Sequence, residues 1–280
     1  MKILVFGKSG QVATELQRRG HVVAIGRAQA DFSQTDTCLA ALETHGPDAV
    51  INAVAYTAVD KAEDDEALAT RINGETPGLL AAGCARRGVP FVHISTDYVF
   101  SGSGSMPWRE NDPVAPQNAY GRSKVAGERA VIRAGGAHAI LRTSWVFSAQ
   151  GNNFVRTMLR LSESRDTLNV VEDQIGGPTP AAAIADACLT IAGALLTSPE
   201  KSGTYHFSGH PETSWKGFAE QIFSAIGKEI DVRGIPSEAY PAPATRPANS
   251  RLDCALIRKV FGINRPDWRV GLDEVLAELV

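Results

Sequence analysis

The chain has 280 residues, of which 44% are hydrophobic, and its formal net charge at pH 7 is −3. This length supplies enough apolar material for one or two globular domains. The slightly acidic balance, with no long basic run, argues against nucleic-acid binding, which depends on clustered positive charge. No apolar run approaches the roughly 20 residues that a membrane-spanning helix needs, so we expect no membrane association.

The four cysteines are widely spaced, and none belongs to a C-x-x-C motif. Zinc and redox motifs therefore have no support, and we expect no metal site. Scattered single cysteines without a secretory leader predict a cytoplasmic protein.

Apolar strands alternate with helices along the first half of the chain. The predicted strands are 2–6, 21–25, 49–53, 91–95 and 139–143, and the predicted helices are 11–19, 35–44, 61–70, 77–87 and 119–134. Thr76 before Pro77 is typical of a helix start, with a capping hydroxyl followed by proline. The alternation predicts an α/β fold with a Rossmann-like, doubly wound parallel sheet.

The pattern changes at Val146, after which loops become longer and richer in proline. We expect residues 1–145 to form an NAD(P)-binding Rossmann-like domain. Residues 146–280 should form mainly a smaller α/β substrate-binding cap, with some segments returning to the first domain. Such a cap would cover the carboxyl ends of the strands, where ligands of open α/β sheets bind.

A glycine-rich turn follows the first predicted strand. Gly7 and Gly10 allow the backbone to approach a pyrophosphate, and the helix that follows offers free N–H groups to the phosphates. The third glycine of the usual pattern is replaced by Ala13, which is small enough for close helix packing. The turn predicts a dinucleotide site, although a simple strand–helix connection has the same composition.

The second strand ends at Gly26-Arg27, without the acidic residue that binds the ribose 2′-hydroxyl of NAD. Arg27 is suited to a 2′-phosphate, so NADPH is the preferred cofactor and NADH remains possible; the alternative is a solvated arginine. Asp31 and Phe32 lie where a chain passes the adenine ring. The small residues 53–55 (Ala53, Val54 and Ala55) leave room for the cofactor backbone.

Tyr120 and Lys124 stand four residues apart in a predicted helix and therefore share a face. A lysine ammonium at this spacing would lower the pKa of the phenol from about 10 toward neutrality. The phenol would then serve as a general acid beside a carbonyl that is being reduced, with Lys124 on the nicotinamide ribose. Ser95 or Thr96, at the end of the fourth strand, would hydrogen-bond the substrate oxygen. The alternative is a solvated Tyr and Lys.

Seven segments in order along nearly the whole chain carry a family resemblance. They are Phe6–Val12, Tyr56–Glu63, Ser95–Phe100, Tyr120–Lys124, Arg142–Val146, Gly151–Phe154 and Arg246–Leu252. On these segments the chain resembles the extended short-chain dehydrogenase/reductases and, among them, the dTDP-4-dehydrorhamnose reductase family.

The resemblance implies NAD(P)H-dependent reduction of the C4 ketone of dTDP-4-dehydro-L-rhamnose to dTDP-L-rhamnose, a step toward cell-surface polysaccharide. It implies that Tyr120 is the acid, that Thr96 tunes it, and that Lys124 and Tyr120 contact the cofactor. The sugar would meet Thr96, Asp97, Tyr98 and Trp145. The remaining implied cofactor contacts are Gly10, Gln11, Val12, Asp31, Phe32, Ala53, Val54 and Ala55.

Some residues keep two interpretations. Arg246 and Arg251 would bind the substrate diphosphate or form surface salt bridges, and Asn153 would contact the diphosphate or cap a helix. Some relatives form dimers through glutamates that bind Mg²⁺. Glu15 fits one such position, but Ala183 stands where another glutamate is expected, so Mg²⁺ is uncertain and monomer and homodimer both remain open.

Two other functions remain open on the residues alone. One is a related 4-ketoreductase or 4-epimerase acting on a different nucleotide sugar, because residue types do not determine the stereochemistry at C4. The other is a non-catalytic regulatory subunit of the same fold, which the intact Thr96, Tyr120 and Lys124 disfavour.

Overall fold

The computed structural model describes the whole chain, residues 1–280, as an α/β structure. Its strands are β1 (Ile3–Phe6), β2 (Val22–Ile25), β3 (Ala49–Asn52), β4 (Phe91–Thr96), β5 (His138–Thr143), β6 (Val146–Phe147), β7 (Thr167–Val171), β8 (Ile175–Gly176), β9 (Thr179–Pro180), β10 (Gly203–His206), β11 (Thr213–Ser214), β12 (Asp231–Ile235) and β13 (Asn249–Ser250).

Ten α-helices accompany these strands. They are α1 (Gln11–Arg19), α2 (Thr35–His45), α3 (Glu66–Thr70), α4 (Thr76–Ala85), α5 (Ala119–Ala134), α6 (Phe154–Ser162), α7 (Ala181–Thr197), α8 (Trp215–Ala225), α9 (Ala255–Phe261) and α10 (Trp268–Leu279). None of them is both long and apolar enough to cross a bilayer.

Six strands form the central sheet, in the spatial order β10-β5-β4-β3-β1-β2, and every pair in it is parallel. The chain first adds β2 on one side of β1 and then β3 on the other, so the strand order reverses at β1. Such a reversal opens a crevice at the carboxyl edge of the sheet, where ligands bind. The predicted doubly wound parallel sheet is confirmed.

The sheet buries both of its faces. Successive side chains of a strand point to opposite sides, so Leu4 joins one core cluster and Val5 joins the other. Leu4 packs in the cluster that holds Leu42 of α2 and Leu80 of α4, and Val5 in the cluster with Ile184 of α7. Because helices cover both faces, the central strands are apolar along their length.

The second half of the chain contributes to two cores. Strand β10 pairs with β5 at the edge of the central sheet, and α7 packs on α1. A separate core cluster lies among α6, α8 and α10 and includes Phe147, Phe218 and Trp268. Strands β7 and β12 form a two-stranded sheet beside it.

Two local predictions were wrong. The helix predicted over 61–70 begins only at Glu66, because 61–64 form turns that free the side chains of Asp60 and Glu63 to bond elsewhere. Thr76 does not cap a new helix, since a π-helical turn at Arg71–Glu75 leads directly into α4. Its hydroxyl instead donates to the carbonyl of Phe32.

Candidate active site

The glycine turn lies at the reversal point of the strand order. Gly7 has φ +117°, a conformation that side chains disfavour, and a Cβ there would stand 3.3 Å from the carbonyl carbon and oxygen of Ala53. Gly10 precedes α1, and no side chain caps the helix or brings acidic charge to its first turn. The free N–H groups and the positive end of the helix dipole fit a pyrophosphate.

The next residues of the turn connect it to the second half of the chain. Gln11 accepts hydrogen bonds through Oε1 from Ser148 Oγ at 3.0 Å and from Asn153 Nδ2 at 3.1 Å. Val12 packs against the core cluster of the central sheet. Residues 53–55 follow β3 and are partly exposed, which keeps their backbone accessible from the crevice.

At the end of β2, Arg27 is 83% exposed, and its Nε pairs with Asp31 Oδ2 at 3.0 Å. The two terminal nitrogens of the guanidinium remain free to bind a phosphate. Asp31 also accepts from the backbone and hydroxyl of Ser33, which together with Arg27 hold the pKa of this carboxyl below its usual value. The ring of Phe32 is buried edge-on against Phe6, so it does not present the open flat face expected for adenine.

Helix α5 starts where the sequence predicts and carries Tyr120 in its first turn. Asn118 caps the helix by accepting from the N–H of Gly121 at 2.7 Å. Glu63 Oε1 accepts the N–H of Ala119 at 2.8 Å. Two acceptors therefore hold the start of the helix that bears the phenol.

Lys124 is directed into the protein. It is 1% exposed, and its Nζ donates to the carbonyl of Ile94 at 2.7 Å. Burial lowers the pKa of its amine to about 8.

The prediction that Lys124 lowers the pKa of Tyr120 is wrong. Burial raises the pKa of Tyr120 to about 12, and the contribution that lowers it comes from the hydroxyl of Thr96. The reason is geometric: the lysine nitrogen is turned toward β4. Thr96, at the end of β4, lies near the phenol.

Three consecutive residues complete this part of the site. Thr96 Oγ1 donates to Asp97 Oδ1 at 3.1 Å and accepts from the N–H of Tyr98 at 3.2 Å. The rings of Tyr98 and Tyr120 meet edge to face, with centroids 5.5 Å apart. Asp97 is buried and its Oδ2 has no hydrogen-bond partner, although Ser250 lies beside the carboxyl. Burial raises the pKa of Asp97 to about 6.

Trp145 follows β5 and links this site to the second half of the chain. Its φ of +49° is rare for a residue with a side chain. The indole stacks on Trp215, with centroids 3.6 Å apart, and Gly176 lies so close that a Cβ would stand 2.7 Å from the ring.

Trp215 also lines a cleft of about 1160 Å³ in the second half of the chain. The cleft holds aromatic and cationic side chains together. They include Phe154, Trp215, Tyr240, Arg160, Arg165 and Arg246.

Most of the remaining predicted site residues have partners within the protein. Arg246 lines the cleft, but it forms a two-pronged pair with Asp60 at 3.0 and 2.8 Å. Arg251 does not line the cleft, and its Nη1 donates to Asn249 Oδ1 at 3.0 Å. Asn153 caps α6 by accepting from the N–H of Arg156. For Arg246 and Asn153 these contacts match the salt-bridge and capping interpretations.

The sequence analysis did not single out two acids that hold parts of the site in place, or two arginines that have no ion-pair partner. Asp60 and Glu63 were recognised only as part of a motif, although they hold Arg246 and the start of α5. Arg160 and Arg165 are exposed, form no ion pair and border the cleft. The apolar face of α6, with Phe154 and Leu161 seven residues apart, was the available signal for the cleft wall.

Glu15 was the one position suited to a bridging Mg²⁺. Its carboxylate pairs with Arg18 at 3.1 Å and with Arg19 at 3.4 Å. Within the single chain, no group of three or more acidic, histidine or cysteine side chains is placed to hold a metal ion. Both oxygens of the Glu15 carboxylate are paired with arginines.

A glycine turn at the switch point of a parallel sheet, together with the buried Thr96 and Lys124 beside the half-buried Tyr120, is typical of a nucleotide-dependent oxidoreductase. A profile of the family described as RmlD substrate binding domain matches residues 1–280. A dTDP-4-dehydrorhamnose reductase of Burkholderia thailandensis is 45% identical, over 100% of this chain and 99% of the relative.

Two solved structures are similar over nearly the whole chain. A dTDP-4-dehydrorhamnose reductase of Clostridium acetobutylicum has a TM-score of 0.93 at 36% identity, covering 100% of this chain and 99% of that one. A dTDP-4-dehydrorhamnose reductase of Bacillus anthracis in complex with NADP has a TM-score of 0.91 at 32% identity, covering 99% of each chain. The chain belongs to the RmlD family.

Proposed function

We propose that this protein reduces the C4 ketone of dTDP-4-dehydro-L-rhamnose to give dTDP-L-rhamnose, with NADPH as the preferred reductant. The observation that carries the proposal is that Tyr120 and Lys124 of α5 lie against the carboxyl end of β4, on the sheet whose switch point holds the glycine turn. The names of the full-length relatives support the same substrate and reaction.

The glycine turn and the amino end of α1 would hold the cofactor pyrophosphate, since no side chain caps this helix. The accessible backbone of 53–55 would follow the cofactor along the crevice. Arg27 would bind the 2′-phosphate through its two free nitrogens, which favours NADPH over NADH. The chemistry that NADPH supplies when bound is hydride transfer to C4.

Tyr120 would give its proton to the C4 oxygen. Its raised pKa keeps the phenol protonated at neutral pH, so the donor form is populated before substrate arrives. Thr96 would steer the phenol, and Lys124 would stabilise the tyrosinate that remains. Asp97 and Tyr98 would meet the sugar, with Trp145 along its ring.

The nucleotide part of the substrate would occupy the cleft of the second half. Trp215, which stacks on Trp145, lines the cleft, and Arg160 and Arg165 are exposed and unpaired at its wall. Unpaired arginines suit a diphosphate, whereas the Arg246 charge is already compensated by Asp60.

The test is incubation of the protein with dTDP-4-dehydro-L-rhamnose and NADPH, with the absorbance of the reduced nicotinamide followed and the product assigned by NMR. We expect consumption of NADPH and formation of the rhamno-configured sugar. A talo-configured product would assign the protein to the other 4-ketoreductases. No consumption by folded protein would refute the reductase function.

A further inference from the structure

A small three-stranded sheet of the second half lies against the proposed active site. Its order is β11-β8-β13, and each strand is two residues long. Gly176 of the middle strand pairs in register with Thr213 on one side and with Ser250 on the other. Ser250 lies beside the carboxyl of Asp97, which follows β4. The small sheet therefore reaches the carboxyl edge of the central sheet.

The middle strand of the small sheet supports the indole of Trp145. The three atoms nearest to a Cβ built on Gly176 all belong to that indole, the closest at 2.7 Å. The Trp145 carbonyl accepts from the N–H of Thr179 at 3.1 Å, and the preceding Ser144 donates to the carbonyl of Gly177 at 3.1 Å. A residue with a side chain keeps a φ of +49° only where its surroundings impose it. Strand β8 and the segment after it therefore hold this residue in place.

Trp215 is the second support of the Trp145 indole. The edge strand β11 leads directly into α8, whose first residue is Trp215, and the two rings stack 12° from parallel with centroids 3.6 Å apart. Trp215 is itself fixed, because its Nε1 donates to Gln174 Oε1 at 3.0 Å and its ring packs against Phe154. Both supports, Gly176 and Trp215, are thus positioned by the small sheet.

The supported indole keeps a free hydrogen-bond donor. The chain has four tryptophans, and three of them, Trp108, Trp215 and Trp268, donate their ring N–H to an acceptor in the protein. The ring N–H of Trp145 has no such acceptor, and this residue is partly exposed. Its ring therefore offers both a flat face and a donor to a ligand.

The indole also lies beside the reacting groups. Thr143, two residues before Trp145, pairs in register with Thr96 of β4, so the two strands end at the same edge of the sheet. Tyr120 meets the turn that follows β4 at this edge. A sugar ring in contact with the indole would therefore present its ketone to the phenol in an orientation that the indole sets.

We propose that Trp215 is a positioning residue: it fixes the Trp145 indole, and the indole orients the sugar ring so that the C4 ketone meets Tyr120. This inference rests on the proposed function in giving the indole a sugar to orient. Because reacting groups must be closely aligned, a displaced indole should lower kcat. Trp215 also lines the cleft, and that contact should affect KM.

The first measurement is the indole N–H resonance of Trp145 in the free protein, assigned by its loss in Trp145→Phe. A proton above the face of a stacked ring is shifted upfield by the ring current of that ring. We expect Trp215→Leu to move this resonance downfield, and Trp215→Phe, which keeps an aromatic face, to move it less. A resonance that stays in place in Trp215→Leu would overturn the proposal, and this measurement requires no activity.

The second measurement is a double-variant cycle on kcat. We expect Trp215→Leu to lower kcat roughly ten- to a hundredfold and also to raise the KM of the nucleotide sugar. In a Trp145→Leu background the same substitution should cause little further loss of kcat, because the ring that it positions is gone, whereas the KM effect should persist. Equal losses of kcat in both backgrounds, or no loss in either, would overturn the proposal.

Gly176→Ala displaces the indole without changing a residue of the cleft wall. The added Cβ would collide with the Trp145 ring, so we expect kcat to fall with a smaller change in KM. Gly193→Ala is the matched control, since its Cβ on α7 would meet nothing within 4 Å, and it should leave both constants unchanged. An unchanged kcat in folded Gly176→Ala would contradict the proposal. Failure of the proposed function would look different, since wild-type protein would then consume no NADPH while the shift of the resonance would remain.

Discussion

The buried site between β4 and α5 contrasts with the cleft of the second half. In the buried site the lysine, the histidine and the threonine all have partners, and regular elements hold them in place. In the cleft, Arg160 and Arg165 are exposed and unpaired, and part of the wall is the loop around Tyr240. The proposed proton transfer thus falls in a region whose groups are held in place, and the proposed substrate-binding cleft has cationic side chains without partners.

The contrast suggests a division of labour between turnover and binding. A group that acts only in the transition state changes kcat, whereas a contact that is equal in ground and transition states changes KM. Substitutions in the buried site should therefore lower kcat, and substitutions in the cleft should raise the KM of the nucleotide sugar. The predictions below test this separation, starting with the largest expected effect.

Tyr120→Phe removes the proton donor and leaves the ring in place. We expect kcat to fall by roughly 10²–10⁴-fold with little change in KM, because general acid catalysis contributes about that much. Steady-state kinetics with both substrates measures the effect, and circular dichroism checks the fold. A variant within a few-fold of wild-type kcat would remove Tyr120 from the role of acid.

Arg27→Ala tests the cofactor end of the crevice. Loss of a charge-assisted hydrogen bond should weaken NADPH by about 1.5–3 kcal/mol, roughly ten- to a hundredfold in affinity. NADH affinity should change little, because NADH lacks the 2′-phosphate. Fluorescence titration with each cofactor measures both values, and equal losses would show that Arg27 does not recognise the phosphate.

Asp97→Asn tests how much the buried Asp97 carboxylate lowers the free energy of unfolding. The folded state raises the pKa of this carboxyl from 3.8 to about 6, so folded protein binds more protons between these values and stability falls as pH rises through that window. The amide carries no charge, so above pH 6 the variant should gain about 1–3 kcal/mol of unfolding free energy. Below pH 4 it should gain nothing.

Urea unfolding at the two ends of this window measures the change. The stabilised variant should also lose turnover, since Asp97 bonds the hydroxyl of Thr96. A gain in stability that is the same at both pH values would show that the buried charge is not its source.

Arg160→Ala tests the cleft. We expect KM for the nucleotide sugar to rise roughly tenfold, with NADPH affinity unchanged, because the guanidinium is exposed and unpaired at the cleft wall. Arg258→Ala is the matched control, since Arg258 is also exposed and unpaired but lies on α9, outside the cleft. Equal KM changes in the two variants would point to bulk charge in place of a specific contact.

The sequence predicted the regular part of the fold well. Helices α1 and α5 have the predicted bounds, because glycine, asparagine and periodic apolar residues mark both ends of each. The parallel sheet follows from the alternation of strands and helices, whereas the order of its strands was not predicted. The start of α3 and the role of Thr76 were not predictable locally, since both depend on side chains that bond to distant parts of the chain.

The sequence predicted which residues form the candidate site better than it predicted their contacts. The spacing of Tyr120 and Lys124 placed both on one helix but did not reveal that the lysine nitrogen turns toward Ile94. Arg246 and Asp60 are 186 residues apart, so no local sequence pattern predicts their ion pair. The contact of His93 with Asn52 lies across two strands, so no local pattern predicts it either.

The most direct test of this division is a side-by-side determination of kcat and of the nucleotide-sugar KM for wild type, Tyr120→Phe and Arg160→Ala at saturating NADPH. The account predicts that Tyr120→Phe loses kcat and keeps its KM, while Arg160→Ala keeps kcat and loses affinity for the sugar. If Tyr120→Phe changed only KM, or if Arg160→Ala lowered kcat as severely as the loss of the phenol, the separation of chemistry from recognition would be contradicted.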